Sequence, residues 1–253
     1  GVDCVIHLAA ESHDDNSIGN SIVFTMTNTY GTHSILEAAR LNSIKKFIHI
    51  STDEVYGDIE KGSFRENSSL NPNNPYSASK AGAEMIARSY CKTYGLPIVI
   101  VRGNNVFGPH QYPEKIIPKF ITRLLENKKI PLHGDGSNIR TYIYMEDFSN
   151  ALDIVFNEGK YEEVYNIGTS DEISNLEVAK SILSAFGKDE SCIEFVKDRP
   201  FNDKRYSIDL KKIRGLGWKQ QHRFEDGLKK TIDWYKNNRD WWKGKIANNG
   251  NDK

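Results

Sequence analysis

The sequence has no net charge, because 34 basic side chains balance 34 acidic ones over its 253 residues. A surface that binds nucleic acid or an anionic membrane needs an excess of Lys and Arg, so we expect neither kind of partner. No apolar run approaches the ~20 residues that a membrane-spanning helix requires. The charged fraction of 27% is that of an ordinary globular protein.

Cysteine is also scarce, and the chain contains only Cys4, Cys91 and Cys192. An odd number of widely spaced cysteines argues against a disulfide framework and predicts a reducing compartment, so we expect a cytoplasmic protein. The seven histidines show no spacing that is typical of metal ligands. We therefore predict no metal site and expect the histidines to be ordinary buried or surface side chains.

Apolar runs and amphipathic segments alternate three times in the first 125 residues. This alternation is typical of a parallel β-sheet whose strands are joined by right-handed helical crossovers. The segment 11–20 is polar and is predicted to be a loop. Strands are predicted at 1–10, 45–50 and 98–101, and helices at 28–40, 75–94 and 116–125.

The alternation is less regular beyond residue 125. We predict an α/β protein in which residues 1–130 form the main sheet domain, with some later segments returning to it. Residues 131–245 are predicted to form mainly a smaller α/β lobe, and residues 246–253 a tail. The later strands are predicted at 141–144, 164–168 and 193–196, the later helices at 146–156, 174–186 and 224–237, and a turn at 132–136.

The stretch 51–57, with the sequence STDEVYG, follows the apolar run 47–50. Ligands of open α/β sheets bind just beyond the carboxyl ends of the strands, so Thr52, Asp53 and Glu54 lie where chemistry is expected. Two adjacent carboxylates suit opposite acid and base roles, because like charges raise one of the two pKa values. The alternative is a solvated turn or a helix cap.

Tyr76 and Lys80 stand four residues apart in a predicted helix, which puts both side chains on one face. An ammonium close to a phenol is expected to lower the pKa of the tyrosine below its reference value near 10. Such a tyrosine can take the proton of a sugar hydroxyl while hydride leaves the carbon. The spacing alone also occurs on ordinary amphipathic helices, so its place after the polar strand end favours the catalytic interpretation.

Several further motifs occur in order along the chain. Together with the two above they are HLAAESH at 7–13, STDEVYG at 51–57, YSASK at 76–80, NVFGP at 105–109, PEKIIP at 113–118, YNIG at 165–168 and DRP at 198–200. With these motifs the chain, from residue 2 to 242, resembles the extended short-chain dehydrogenase/reductases. Within them the sequence is similar to nucleotide-sugar 4,6-dehydratases of the dTDP-glucose and UDP-glucose type. The resemblance implies a Rossmann-like doubly wound parallel sheet with a smaller substrate-binding lobe.

The resemblance implies a reaction that uses bound NAD. Hydride passes from C4 of the hexose to NAD+, water is eliminated across C5 and C6, and hydride returns to C6. Oxidation at C4 makes the otherwise weakly acidic C5 proton α to a carbonyl. By resemblance Tyr76 is the base for the 4-hydroxyl, Glu54 the base at C5 and Asp53 the acid for the C6 oxygen. Thr52 would bond the C4 oxygen, and Lys80 would hold the nicotinamide ribose.

The resemblance also implies binding residues. For Ala9 and Ala10 plain packing is an equal alternative, and Lys115 and Arg140 are equally interpretable as surface charges, although cations suit a diphosphate. The implied cofactor-binding residues are Ala9, Ala10, Ser12, Thr27, Tyr76 and Lys80. The implied substrate-binding residues are His13, Asn105, Lys115, Arg140, Asn175 and Arg199.

The sequence departs from the bacterial members at several positions. Asn16 replaces the usual arginine and Asn202 the usual histidine, and RGNNVF at 102–107 differs from the bacterial NCSNNY. The segments 108–115 and 202–206 are closer to eukaryotic and plant UDP-glucose dehydratases. These departures affect the expected base specificity, between dTDP and UDP, and leave the reaction type unchanged.

The strand, glycine-rich turn and helix with which the family begins have no counterpart in the sequence. We therefore expect the chain to be a fragment that lacks roughly seventy residues, judged by family members. The glycine-rich turn carries the pyrophosphate at a helix N-terminus. The 253 residues alone are expected to express poorly, to bind NAD weakly and to lack turnover.

Two other functions remain open from the sequence. One is a nucleotide-sugar 4-epimerase or decarboxylase of the same superfamily, although the epimerases normally lack the Asp-Glu pair. The other is a nucleotide-sugar-binding protein without turnover, against which the intact catalytic set argues. A symmetric homodimer is expected, because the helix at 75–94 carries more apolar surface than one face against the sheet requires. That surface consists of Ala81, Ala83, Met85, Ile86, Ala87 and Tyr90.

Overall fold

The computed structural model describes residues 1–248 and divides into two compact units. The first contains residues 1–104, 148–169 and 203–219, and the remaining residues belong to the second. The predicted boundary at residue 130 therefore lies inside the second unit. Residues 246–248 of the predicted tail end a helix, and residues 249–253 lie outside the described part.

The strands of the first unit form one parallel sheet, and those of the second unit form two smaller sheets. Residues 1–248 contain the strands β1 (Cys4–His7), β2 (Lys46–Thr52), β3 (Ile98–Gly103), β4 (Asn105–Phe107), β5 (Ile130–His133), β6 (Ile139–Tyr144), β7 (Val164–Ile167), β8 (Glu172–Ser174) and β9 (Ile193–Val196). The first sheet has the order β1-β2-β3-β7, the second β4-β6-β8, and the third pairs β5 with β9.

Most helices begin and end close to the predicted residues. The predicted loop at 11–20 is wrong, because residues 14–19 are helical; their short and polar sequence shows no apolar periodicity. A π-helical turn at Thr25–Tyr30 joins the helix that ends at Phe24 to the helix that begins at Gly31. Within the described residues the helices are α1 (Asp14–Gly19), α2 (Ser21–Phe24), α3 (Gly31–Leu41), α4 (Pro75–Tyr94), α5 (Ile116–Leu125), α6 (Met145–Glu158), α7 (Asn175–Ala185), α8 (Lys211–Gly215), α9 (Phe224–Asn237) and α10 (Arg239–Asn248).

The start and end of α4 are determined by local chemistry. The Asn74 side chain accepts the backbone N–H of Ser77 at 2.8 Å, and the Ser77 hydroxyl lies 3.2 Å from the backbone nitrogen of Asn74. This reciprocal cap, with Pro75 at the first helical position, begins the helix. Gly95 ends it in the left-handed conformation that favours glycine. Tyr76 and Lys80 are thereby held in the first two turns.

A buried ion pair joins α4 to β3. Glu84 is completely buried, and its carboxylate accepts two hydrogen bonds from the Arg102 guanidinium, one of them at 3.0 Å. Arg102 also lies over the ring of Tyr56, 4.5 Å from its centroid. A buried charge is tolerated only when it is paired, so this contact specifies how α4 sits on the sheet.

The second unit has its own apolar core, in which α5, α7 and α9 cover strands β4, β5 and β6. A reciprocal cap between Ser174 and Glu177 begins α7. Within residues 1–248, no helix has the length and apolar character needed to cross a bilayer.

Gly57 closes the turn at Asp53–Tyr56 that follows β2, with φ 80° and ψ −172°, a region open essentially to glycine alone. A Cβ there would lie 2.4 Å from the Asn71 carbonyl oxygen. We expect Gly57→Ala to lower the free energy of unfolding by at least about 2 kcal/mol, measured by chemical denaturation. Gly62→Ala, with a similar φ of 79° but open space around it, should cost about 1 kcal/mol. Equal losses of unfolding free energy in Gly57→Ala and Gly62→Ala would contradict the argument that the Asn71 carbonyl obstructs a side chain at position 57.

Candidate active site

The site in the first unit is built on the carboxyl end of β2. Thr52 is the last residue of the strand, and its hydroxyl accepts the backbone N–H of Glu54 at 3.3 Å. The same hydroxyl lies 3.3 Å from Oδ1 of Asp53. Both distances are long, so these contacts are weak. They hold the Thr52 side chain beside the two carboxylates that follow it.

Asp53 lies in a closed polar environment, with 2% of its surface exposed. The Asn104 amide donates from Nδ2 to Oδ2 of Asp53 at 2.7 Å. Asn104 itself is buried and follows β3, the neighbouring strand of the sheet. Sequence reasoning did not select Asn104, although the Asn-Asn pair directly after a buried strand was an available signal.

Glu54 is in a different environment from its neighbour. Its side chain is partly exposed, and Oε2 lies 3.4 Å from the Asn74 amide nitrogen at the start of α4. One carboxylate is therefore enclosed and the other is accessible. Separate environments are what two adjacent carboxylates need in order to take opposite acid and base roles.

The Tyr76 hydroxyl lies close to the Thr52 side chain, so the tyrosine is at the strand end. The pKa of Tyr76 lies well above 10, first because burial disfavours the phenolate and then because the Glu54 and Asp14 carboxylates repel it. The residue as a whole keeps some solvent exposure, so the burial concerns mainly its hydroxyl end. The expectation of a lowered pKa is wrong for this structure.

The expected lowering of the Tyr76 pKa depended on the Lys80 ammonium, and this ammonium is directed to the sheet. Nζ donates to the Ile50 carbonyl at 2.7 Å, and the side chain is buried. Burial lowers the pKa of Lys80 to about 8, and Glu84 partly opposes this effect. Burial and Lys80 lower the pKa of His7 to about 4, so this histidine is neutral, and the same causes act on His49.

Of the other predicted cofactor residues, Ala9, Ala10 and Ser12 follow β1, the strand that pairs in parallel with β2. Ala9 is exposed and Ala10 partly exposed just beyond β1, so small side chains border open space there. Ser12 is partly exposed before α1, and Thr27 is exposed in the π-helical turn. Within the described residues no group of three His, Cys, Asp or Glu side chains has an arrangement that would hold a metal ion.

Of the predicted substrate residues, His13 belongs to the first unit, where it precedes α1, with Nε2 3.8 Å from an Asp15 oxygen. The other five belong to the second unit. The sheet β4-β6-β8 brings three of them together: Asn105 on β4, Arg140 on β6, and Asn175 directly after β8. Lys115 lies at the start of α5, on a different element.

Asn202 connects two parts of this group, although sequence reasoning noted it only as a departure. Its Oδ1 accepts from Arg140 Nη2 at 3.1 Å, and its Nδ2 donates to Asp198 Oδ1 at 3.0 Å. Arg199 follows Asp198, and its backbone N–H donates to the same carboxylate at 2.8 Å. The network holds Arg140 and the segment of Arg199 together.

Comparison with known proteins decides the family. The profile of the GDP-mannose 4,6 dehydratase family matches residues 1–231. The chain belongs to this family. A dTDP-glucose 4,6-dehydratase of Streptomyces antibioticus is 44% identical over 241 residues, which cover 95% of this chain and 72% of that protein. The resemblance to nucleotide-sugar 4,6-dehydratases is confirmed.

Relatives of both nucleotide classes are similar to this member of the dehydratase family. A trifunctional UDP-glucose 4,6-dehydratase/3,5-epimerase/4-keto-reductase of Arabidopsis thaliana is 52% identical over 246 residues, covering 95% of this chain. The chain spans 37% of the length of that protein. The α/β fold is confirmed by the dTDP-glucose 4,6-dehydratase DesIV of Streptomyces venezuelae, crystallised with NAD, at a TM-score of 0.95 and 46% identity, covering 97% of this chain and 76% of that one.

Solved 4-epimerases share the fold at lower identity. A UDP-glucuronic acid 4-epimerase of Bacillus cereus has a TM-score of 0.88 and 30% identity, and the match covers 93% of this chain and 76% of that one. A shared fold carries many functions, so the catalytic residues decide between the two reactions.

The burial of Lys80 predicts a pH-dependent stability. Its pKa is about 8 in the folded protein, against 10.5 for an ordinary lysine side chain, so the protonated form destabilises the fold below pH 8. This penalty, at most roughly 3 kcal/mol, fades as pH rises through 8 towards 10.5. The free energy of unfolding of Lys80→Met should therefore exceed that of the parent at pH 7. This difference between variant and parent should shrink by roughly 2 kcal/mol by pH 10.

Chemical denaturation at pH 7 and pH 10 measures this difference. Lys92→Met is the matched control, because Lys92 is exposed on the same helix and the Glu162 carboxylate raises its pKa. If the difference in unfolding free energy between Lys80→Met and the parent stays constant with pH, burial does not destabilise the ammonium.

Proposed function

We propose that the protein is a nucleotide-diphosphate-glucose 4,6-dehydratase, which converts dTDP- or UDP-glucose to the 4-keto-6-deoxy sugar. The observation that carries this proposal is the Asp53-Glu54 pair at the end of β2, with the Tyr76 hydroxyl of α4 close to Thr52 of the same strand end. An elimination of water needs an acid and a base beyond the group that handles the 4-hydroxyl. The strand end supplies the two carboxylates, and α4 supplies Tyr76.

The first unit is proposed to hold NAD, and its residues fit such a group. Small side chains at Ala9 and Ala10 leave room beyond the sheet, where dinucleotides bind in folds of this kind. The Ser12 and Thr27 hydroxyls and the Lys80 ammonium supply hydrogen bonds for ribose and phosphate oxygens. NAD+, when bound, would supply the hydride acceptor and a positive charge.

Tyr76 is proposed to take the proton of the 4-hydroxyl. Its raised pKa means that the phenol is protonated at neutral pH while the Glu54 carboxylate is near. A positive charge beside the phenol would favour the phenolate and lower the pKa of Tyr76 again, and the phenolate is the form that takes a proton. Thr52 is placed to bond the same substrate oxygen, because its side chain lies close to the Tyr76 hydroxyl.

Glu54 is proposed as the base at C5 and Asp53 as the acid at the C6 oxygen. The accessible carboxylate suits proton removal from a substrate carbon, and the enclosed one suits storage of a proton. Once C4 is a ketone, removal of the C5 proton by Glu54 leaves electrons that expel the C6 oxygen. That oxygen takes the proton of Asp53 and departs as water.

Residues of the second unit, with His13 of the first, are proposed to bind the nucleotide sugar. Arg140, Lys115 and Arg199 are suitable partners for a diphosphate, since their donors match phosphate oxygens. Asn105 and Asn175 offer amide groups for the sugar or the base. Relatives of both nucleotide classes are similar to the chain, so both substrates belong in the test.

The runner-up is a 4-epimerase, or a decarboxylase of the same superfamily, and the fold shared with a UDP-glucuronic acid 4-epimerase favours it. A nucleotide-sugar-binding protein without turnover is a third possibility. The test is incubation of the complete natural protein with dTDP-glucose and UDP-glucose, followed by product analysis. A 4-keto-6-deoxy sugar supports the dehydratase, a galactose epimer supports the runner-up, and binding without product supports the third.

The two carboxylates should divide the reaction between them. We expect Glu54→Gln to block exchange of the C5 proton with solvent deuterium. Asp53→Asn should permit C4 oxidation and C5 exchange but slow elimination by 10²-fold or more, seen as transient NADH absorbance at 340 nm. Full-rate exchange at C5 in Glu54→Gln would contradict the assignment.

A homodimer is proposed, although the structure corrects the sequence argument for it. Ala81, Ala83, Ala87 and Tyr90 are buried within the first unit, so they are not surface for a partner. Of the six apolar residues predicted to form the dimer surface, Met85 is 46% exposed and Ile86 is partly buried. These two residues remain as support for the proposal. The free thiols of Cys4, Cys91 and Cys192 support a cytoplasmic location.

Sedimentation of the complete protein at micromolar concentration tests the dimer. We expect Met85→Glu to shift the protein towards the monomer, because it places a charge in an apolar contact. Phe195→Glu changes an exposed apolar residue on β9 and should leave the dimer intact. A monomeric parent protein would contradict the proposal.

A further inference from the structure

We propose that Asn104 is a positioning residue that holds the Asp53 carboxyl in the orientation needed for proton transfer to the departing oxygen. This inference rests on the proposed function of Asp53. Asn104 is 4% exposed and its Nδ2 lies 2.7 Å from Oδ2 of Asp53. The contact joins the residues that follow two neighbouring strands, β2 and β3.

The orientation of the Asn104 amide is determined by a second contact. Its Oδ1 accepts the backbone N–H of Thr169 at 3.1 Å. An amide has donors only on its nitrogen and acceptors only on its oxygen. A flipped amide would set Oδ1 against the carboxylate and Nδ2 against a backbone N–H, and both contacts would be lost. The donor therefore faces Asp53.

Gly168 provides the space for this amide. A Cβ at position 168 would lie 1.7 Å from Asn104 Oδ1 and 2.4 Å from its Cγ. The chain after β7 can approach the amide this closely only because residue 168 has no side chain. The residues that follow β3 and β7 thus form a closely packed support for the Asp53 carboxylate.

This support determines which oxygen of Asp53 carries the proton. Oδ2 accepts the strong hydrogen bond from Asn104 at 2.7 Å, whereas Oδ1 accepts only the weak one from the Thr52 hydroxyl at 3.3 Å, so the transferable proton is favoured on Oδ1. In the elimination the Asp53 O–H bond breaks, a new O–H bond forms on the C6 oxygen, and the C6–O bond breaks to release water. The electron pair left by the C5 proton forms the C5–C6 double bond. Asp53 becomes a carboxylate, and the Asn104 N–H stabilises that charge.

The experiment uses the complete natural protein and separates the steps of a single turnover. Asn104→Ala should leave C4 oxidation, read as NADH absorbance, and C5 deuterium exchange within about threefold of the parent. Elimination should slow by roughly 10- to 100-fold, as for a misplaced catalytic group. Removing an N–H donor from the carboxylate also raises its pKa, so the alkaline limb of the elimination profile should move to higher pH.

Asn104→Asp is a second variant of the same shape. It keeps the acceptor for Thr169 but replaces the donor with an oxygen, so it should slow elimination further and move the alkaline limb further upward. Gly168→Ala should reproduce the effect of Asn104→Ala, because its Cβ displaces the amide. In the double variant the two effects should not add, since both act through the same contact.

Asn166→Ala is the matched control, because Asn166 is a completely buried asparagine on β7 that bonds the Tyr56 hydroxyl at 2.9 Å. It should lower stability without changing the ratio of elimination to oxidation. Equal slowing of all steps by Asn104→Ala, or an unmoved pH profile, would overturn the proposal. The pKa of Asp53, measured by carbon-13 NMR in parent and Asn104→Ala, tests the contact even if the parent proves to have no dehydratase activity.

Discussion

The site depends on one constraint, which is that β2 and β3 run parallel and end side by side. Their register pairs Ser51 with Arg102 and Thr52 with Gly103. The next residue on each strand is therefore Asp53 on one side and Asn104 on the other, and these two side chains bond at 2.7 Å. A shift of one residue in this register would turn every side chain of β2 to the other face of the sheet. The geometry of the candidate acid is thus a property of strand pairing.

The second support of the site is the position of α4. Its N-terminus is determined by the Asn74–Ser77 cap, and its middle is attached to β3 by the buried pair of Glu84 and Arg102. Tyr76 reaches Thr52 because the cap determines where the helix begins, and Lys80 reaches the Ile50 carbonyl one turn later. A buried ion pair is weak evidence for stability, but it opposes rotation of the helix because any misplacement leaves charges unpaired.

Titratable side chains whose pKa values are shifted in different directions lie close together in the first unit. Tyr76 is a phenol with a raised pKa, Lys80 is an ammonium with a lowered one, and His7 is neutral. Burial is the largest cause in each case, and it acts against the charged form. Such a site is sensitive to any further charge brought into it, because the low polarity that raises or lowers each pKa also strengthens each electrostatic contact.

The sequence by itself determined the fold class, the catalytic candidates and most elements. Local signals were sufficient for α4, α5 and α9, because caps, prolines and apolar periodicity lie within each segment. Only the tertiary structure decided the features that depend on contacts between residues far apart in the sequence. It showed that Lys80 bonds the Ile50 carbonyl and that burial and the Glu54 and Asp14 carboxylates raise the pKa of Tyr76, whereas spacing on the helix predicted the opposite. It also joined Asn104 to Asp53 across 51 residues of sequence, because strand pairing is a long-range interaction that no local pattern encodes.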